Sequence, residues 1–416
     1  MRREMSLLAV ILLGIITSEI EAQSVVSNEL TMEIAEKKGI ENNPDLQYLL
    51  KNISANKAVQ LQSGLISNPE LELEAENIFG SGDLSGFSGS EITASLSQNI
   101  QLAGKISKRE KVAEMDVSLA EWDYLAKRLE VITEIRKAFT DALITQKLIE
   151  KNNELIETSE KLILNLKRRV KAGKISPAEV SRAQIILNSL QIDINRLEAD
   201  YDSAIFELST LINDPNLLIG LLNGKLKNIE KLPDYDSLYS RLENNPNLKR
   251  FDNEYDKQKA VINLEESMSI PDLTVSAGYR RSNEVGINTF LLGASMPLPI
   301  FDANQGSIEE AQIRLDQKTK EYESIKNNLE LRLNLLYRRF GMLLSISEKI
   351  KNESIPDAEE SFKIIIQGNL LGRFTILDVL DAERTLFEVQ NQHLNTLGEI
   401  NSVIVEIEGL TEYNIQ

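Results

Sequence analysis

Asp378 and Asp381 stand three residues apart in the run Thr375-Ile-Leu-Asp-Val-Leu-Asp381, a spacing that places both carboxylates on one face of a helix, one turn from each other. Nearer the start, Glu72, Glu74 and Glu76 alternate with Leu71, Leu73 and Ala75, which puts every acid on one side of an extended strand. Neither pattern supplies a nucleophile or a base with its orienting partner; what both offer is attraction for cations. The rest of the chain withholds other chemistry. It has no Cys and one His, His393, which removes thiolate and His-rich metal centres. No GxSxG, HExxH or phosphate-cradling glycine loop is present. Catalytic residues, cofactors and a metal site are therefore not expected, and the chain is read as something other than an enzyme. With 46 Lys+Arg against 64 Asp+Glu and a net charge of −18, it is also a poor partner for nucleic acid.

Those acids are positioned by a chain that repeats itself. Glu41-Asn-Asn-Pro-Asp-Leu46 returns as Glu243-Asn-Asn-Pro-Asn-Leu248, and Pro69-Glu-Leu-Glu-Leu-Glu-Ala75 as Pro271-Asp-Leu-Thr-Val-Ser-Ala277, both at an offset of 202. Gly173-Lys-Ile-Ser-Pro-Ala-Glu-Val-Ser-Arg-Ala-Gln184 returns as Gly372-Arg-Phe-Thr-Ile-Leu-Asp-Val-Leu-Asp-Ala-Glu383, at an offset of 199. Three ordered matches at nearly constant offset imply two copies of one unit. Each reads as helix, two strands, very long helix, tight turn, helix.

Arg2 and Arg3 before the apolar run from Leu7 to Ile16, with Ala22 as a small residue for cleavage, read as an export signal. No later stretch is apolar enough for a membrane helix, so any passage through lipid must be β-structure. The alternating runs from Leu71, from Ile92, from Leu273 and from Phe290 are each close to what a tilted membrane strand needs. Four strands cannot close a barrel in lipid, where the smallest type has about eight. Strands pooled from two or three chains would close one. A soluble four-stranded sheet with one wet face is the alternative on these residues alone.

From about Gly104 to Val170 no Pro or Gly interrupts, and Ile135, Ala142, Ile149, Ile156, Ile163 and Val170 recur every seventh residue. That heptad seam calls for partner helices in a left-handed supercoil, over a length of roughly 100 Å at 1.5 Å per residue. The return from Pro177 to about Leu211 covers half of it. The helix from Pro246 to near Met268 is expected to stack on that return. The helix from Ile376 to about Leu410 is likewise expected to be continued by the helix from Pro44 to Ser67, beside a long span from Gly306 to Asn369.

The turns between long and returning helices have their own signals. Gly173 and Gly372 suit the left-handed residue that closes a helix, while Ser176 with Glu179 and Thr375 with Asp378 read as capping boxes. Capping accounts for Glu179 and Asp378 without any further role. Asp381 stands where the first copy has Arg182, so capping does not require it. His393 replaces an apolar residue in the series Val379, Leu386, Ile400, Ile407 and reads as a packed or pore-lining histidine.

The runs Asn68-Pro-Glu-Leu, Glu76-Asn-Ile-Phe-Gly-Ser-Gly82, Leu96-Ser-Gln-Asn-Ile-Gln-Leu-Ala-Gly-Lys105, Met296-Pro-Leu-Pro-Ile-Phe-Asp-Ala-Asn-Gln-Gly306 and Gly372 to Leu386 resemble the TolC-like outer membrane efflux proteins, and most closely the cobalt-zinc-cadmium (CzcC) type. The resemblance covers about Leu30 to Thr411. It implies a mainly α chain with membrane β-structure, assembling as a homotrimer with a 12-stranded outer membrane β-barrel, four strands per chain, continued by a periplasmic α-helical coiled-coil barrel. It further implies an exit duct of a tripartite efflux system, opened by a periplasmic adaptor and energised by an inner membrane transporter of the resistance-nodulation-division (RND) class, with heavy-metal cations as cargo. In such a duct Gly173, Lys174, Ser176, Glu179, Arg182, Gly372, Arg373 and Thr375 lie on the hairpin tips that meet the adaptor. Asp378 and Asp381 constrict the closed channel, and Glu72, Glu74 and Glu76 face the barrel lumen. Two departures stand out: Asn99 replaces a Pro common in relatives, and Phe374 a basic residue often found in the second tip.

The expected organisation is a signal peptide at 1–22, a first TolC-like repeat at 23–215, an equatorial linker at 216–235 and a second repeat at 236–416. Two rival readings remain at this stage: a periplasmic coiled-coil adaptor or structural protein, and an outer membrane duct that exports drugs or other small molecules.

Overall fold

The computed structural model describes residues 29–82, 85–214 and 221–415; the expected signal segment at 1–22 lies outside the described residues. A short strand β1 (Glu29–Leu30) leads into helices α1 (Met32–Asn42) and α2 (Pro44–Ser63), strands β2 (Glu70–Glu76) and β3 (Glu91–Ile100), the long helix α3 (Lys105–Lys171) and its return α4 (Pro177–Ile212). After β4 (Leu221–Leu222) come α5 (Tyr235–Leu242), α6 (Pro246–Met268), strands β5 (Leu273–Ser282) and β6 (Ile287–Ser295), then α7 (Gln305–Lys349), a π turn at Ile350–Ser354, α8 (Ile355–Leu370) and α9 (Ile376–Thr411). Among the described residues no helix is long and apolar enough to cross a membrane.

Local chemistry explains the helix starts. Asn43 Oδ1 accepts from the amides of Asp45 and Leu46, and Asn245 Oδ1 from that of Asn247, in each case with Pro as the first helical residue. Helix α2 ends at Ser63, short of the expected Ser67, because Gly64 caps it and the chain then runs extended into β2. The long span after Gln305 is not one regular helix. Pro356 has no amide hydrogen and its ring crowds the carbonyl four residues back, and the helix widens just before it, with the amide of Ile355 donating five residues back to Ile350.

The four longer strands form one antiparallel sheet in the order β2-β3-β5-β6, so β2 and β6 are its open edges. Register sorts the faces. Leu73 lies opposite Ala94, Ala94 opposite Tyr279, and Tyr279 opposite Phe290, which makes one face apolar across all four strands. Glu74, Thr93, Arg280 and Thr289 line up on the other. The apolar face is uncovered within the chain: Leu71, Leu73, Phe290 and Leu292 are 69%, 73%, 87% and 88% exposed.

The helices bury three apolar clusters. One gathers Leu46, Ile135, Phe139, Leu208 and Ile212 where α2, α3 and α4 meet; a second gathers Leu238, Leu333, Phe340, Ile404 and Ile407 where α5, α7 and α9 meet. The third, with Ile163, Leu166, Ala183, Leu187, Ile376 and Val379, joins both hairpins near their ends.

The stacking of half-length helices differs from expectation. Asn213, the left-handed cap of α4, donates from Nδ2 to the carbonyl of Asn42 at 3.1 Å, and Lys38 pairs with Asp214, so α4 meets the junction of α1 and α2. At the other joint Asn245 Nδ2 donates to the Leu410 carbonyl at 2.9 Å, so α9 is continued by α6. Each return helix is thus completed by the opening helix of its own half, not of the other half. Chain order had favoured the next helix along; the side chains that close the joints decide otherwise.

Between the halves, Glu408 on α9 is held by Arg136 of α3 at 3.4 Å and Lys227 at 2.7 Å, with its side chain only 4% exposed. Arg136 also pairs with Glu36 at 2.7 Å, and Asn401 accepts from the amide of Lys227. The segment after β4 is clasped in this way to α1, α3 and α9 together. At the far end of α3, Lys105, its side chain 5% exposed, reaches Asp272 just before β5 and fixes the strands to the helices.

Candidate gate and lumen

Both helical hairpins end in the same glycine turn. Gly173 and Gly372 have φ of 69° and 71°, where a Cβ is strained, and the amides of Lys174 and Arg373 reach back to the carbonyls of Arg169 and Gly368. Beyond the glycines the tips diverge. Thr375 and Asp378 form a full capping box: Asp378 Oδ2 accepts from the Thr375 amide at 2.6 Å and from its hydroxyl at 2.7 Å, and Thr375 Oγ1 accepts from the Asp378 amide. The hydroxyl bond, then the amide bond, holds the Asp378 carboxyl below the usual carboxylate range. The expected matching box at the first tip is absent. Ser176 Oγ accepts from the Ala178 amide, while Glu179 turns to Arg182 at 3.6 Å, a cationic partner that the second tip, with Asp381 at the matching place, does not offer Asp378.

Asp378 and Asp381 therefore occupy unlike positions. Asp378 is committed to its cap; the Asp381 side chain is 74% exposed, and among the described residues its charged partner is Arg384 of its own helix at 3.4 Å. The two tips are also tied together. Arg169 donates to Asn369 Oδ1 at 3.3 Å, and Asn369 Nδ2 donates to the carbonyl of Phe374. Phe374 packs against Gly368, where an added Cβ would stand 2.3 Å from its ring, so this aromatic fills the space beside a glycine at the second tip. Exposed Lys174 and Arg373 have no ion-pair partner among the described residues.

One buried acid near the tip was not singled out from the sequence. Glu383 is 2% exposed, Oε1 lacks a hydrogen-bond partner among the described residues, and burial pushes its pKa up to about 7. The signal available was its place on the Val379 and Leu386 face of α9, where an acid breaks an apolar series.

At the other end of the molecule, Glu72, Glu74 and Glu76 share the polar face of the sheet, as their alternation requires. They are not uniformly free. Arg280 of β5 reaches Glu76 Oε2 at 3.4 Å, Glu91 Oε2 at 3.2 Å and Thr93 Oγ1 at 3.0 Å, while Ser95 donates to Glu72 at 3.4 Å. Arg280 went unnoticed in the sequence because its neighbour Arg281 hides its parity; only register with Glu91 and Thr93 reveals the shared face. Among the described residues no group of three or more His, Asp or Glu is placed to hold a metal ion.

A family model described as Outer membrane efflux protein matches residues 37–214 and again 238–408. The chain is 30% identical to the cobalt-zinc-cadmium resistance protein CzcC of Cupriavidus metallidurans over 372 residues, 89% of this chain and 87% of that one. Among solved structures it is similar to CusC, with a TM-score of 0.72 at 16% identity over 91% of both chains. It is also similar to the outer membrane protein VceC of Vibrio cholerae, with a TM-score of 0.73 at 17% identity over 91% of this chain and 96% of that one. The structural likenesses show a shared fold.

Proposed function

Because this chain belongs to the outer membrane efflux protein family, whose members are outer membrane channel proteins and not enzymes, we propose that it is the exit duct of a tripartite pump. Its copies assemble as a homotrimer, and β6 of each pairs with β2 of the next to close a 12-stranded barrel. The observation that carries this reading is the sheet itself: two open edges and an uncovered apolar face, which lipid and neighbouring strands would satisfy together. The helical hairpins extend from that barrel into the periplasm as an α-barrel.

In this assembly residues 23–215 and 236–416 are two copies of one unit joined by an equatorial linker at 216–235, a division supported by the double match to one family model. Glu72, Glu74 and Glu76 line the lumen, since an ionised acid against lipid is costly, and they bias it toward cations. Asp378 and Asp381 form rings that constrict the closed end. Gly173, Lys174, Ser176, Glu179, Arg182, Gly372, Arg373 and Thr375 present the tips to a periplasmic adaptor, and an inner membrane RND transporter supplies the energy. Conduction is passive. The cargo is a heavy-metal cation, a choice supported by the similarity to CzcC; drugs or other small molecules are the second reading.

Cysteine cross-linking tests the assembly. Leu73→Cys on β2, combined in turn with Phe290→Cys, Leu292→Cys and Ala294→Cys on the same face of β6, should give dimer and trimer bands in outer membranes for the pair that is in register. Monomer throughout, for every pair, would defeat it. Cargo is decided by a deletion strain challenged with zinc, cadmium, cobalt, copper and drugs: sensitivity to drugs alone would overturn the metal assignment.

A further inference from the structure

The two hairpins share a plan but not a mechanism. Helix α3 is continuous for 67 residues, whereas its counterpart is α7, a five-residue π turn and α8. A π turn holds one residue more than the helix on either side, and its backbone bonds are wider and fewer. Here Pro356 blocks the regular alternative. Opposite, α9 packs on the turn; there His393 Nε2 is buried without a hydrogen-bond partner among the described residues, while Asn391 donates from Nδ2 to Asn152 of α3 at 3.4 Å. Above the turn the helices are fixed by the second apolar cluster and by the Glu408 clasp. Below it α8 runs to the tip that carries Asp378 and Asp381.

We infer that the π turn at Ile350–Ser354 is the hinge on which α8 and the second tip swing, while the unbroken α3 keeps the first hairpin rigid. The unpartnered His393 Nε2 favours a second arrangement of the hinge, because a shifted α8 can offer it a partner that the present packing does not. The inference rests on the proposed gate, and its location in the chain is additional to it.

The absence of cysteine makes site-directed labelling free of background. Spin labels at Glu348→Cys and Gln367→Cys straddle the hinge; labels at Glu150→Cys and Arg168→Cys on α3 are the rigid reference. In full chains reconstituted in lipid nanodiscs, with labelled chains diluted among unlabelled ones, the first pair should show two distances and the reference one narrow distance. Deleting Asn352 together with Pro356→Ala restores a regular helix and should merge the two distances into one. Pro356→Ala alone keeps the extra residue and should retain both with altered populations. A distribution across the turn as narrow as that on α3 would overturn the hinge. Conductance is read separately: failure of Asp378→Ala/Asp381→Ala to raise it would refute the gate and leave the distance result to judge the hinge.

Discussion

Asn245 joins two helices that are distant in sequence: its Oδ1 caps α6 through the Asn247 amide at 2.9 Å, and its Nδ2 donates to the Leu410 carbonyl at the end of α9, also at 2.9 Å. One buried side chain therefore serves an N-terminus and a C-terminus at once, and it completes the stack that balances the long α7. Asn245 is 2% exposed, so neither backbone group can turn to water if it is lost.

Asn245→Ala should accordingly lower stability by about 2–3 kcal/mol, combining a lost cap with an orphaned buried carbonyl. Asn245→Asp keeps the cap but not the donor and should fall between. Urea unfolding of the purified protein, followed by circular dichroism, checks the order; an unchanged midpoint for Asn245→Ala would show that the joint is held elsewhere.

The two tip acids should separate in mutagenesis. Asp378→Ala removes the capping-box acid and should cost the second tip about 1 kcal/mol, visible as faster amide exchange over residues 375–379. Asp381→Asn leaves the cap intact and should raise single-channel leak in planar bilayers. The double Asp378→Ala/Asp381→Ala change should raise it further. Equal effects of the two single changes on both readouts would contradict the division of roles.

Arg280 places one positive charge among Glu76, Glu91 and Thr93 on the polar face of the sheet. Arg280→Gln leaves those acids uncompensated, so reversal potentials across a salt gradient should shift toward stronger cation preference, several-fold in permeability ratio. A shift toward anions, or none, would mean that this face does not line the pore.

Glu383 gives the tip a pH dependence. Burial raises its pKa from 4.5 to about 7, so the folded chain holds the proton more tightly than the unfolded one between those values. Its contribution to stability is complete below about pH 4.5 and declines as pH rises through about 7, by at most about 3 kcal/mol. Glu383→Gln should match the parent at pH 4.5 and exceed its melting temperature at pH 8. A constant difference at both pH values would remove Glu383 as the cause.

Much of this molecule is written in local pattern. The alternation at Leu71 to Glu76, the heptads from Ile135 and the Asn-Pro starts at residues 43 and 245 each act through near neighbours, and each led to the element observed. Contacts between distant segments were harder to see. The joints at Asn213 and Asn245, the Arg136 and Lys227 clasp on Glu408 and the reach of Arg280 all link residues far apart in sequence, where spacing carries no information. Near repetition also misled at one point: Ser176 to Glu179 looks like Thr375 to Asp378, but Arg182, where the second copy has Asp381, draws Glu179 forward along the helix.

The central claim is that separate chains pool their strands into one lipid-sealed pore. Native mass spectrometry of the protein released from outer membranes tests it most directly. A complex of three mature chains that resists mild heating, and that forms ion-conducting channels when returned to lipid, is the predicted result. A water-soluble monomer in the periplasmic fraction, its four strands closed into a sheet of their own, would contradict the account.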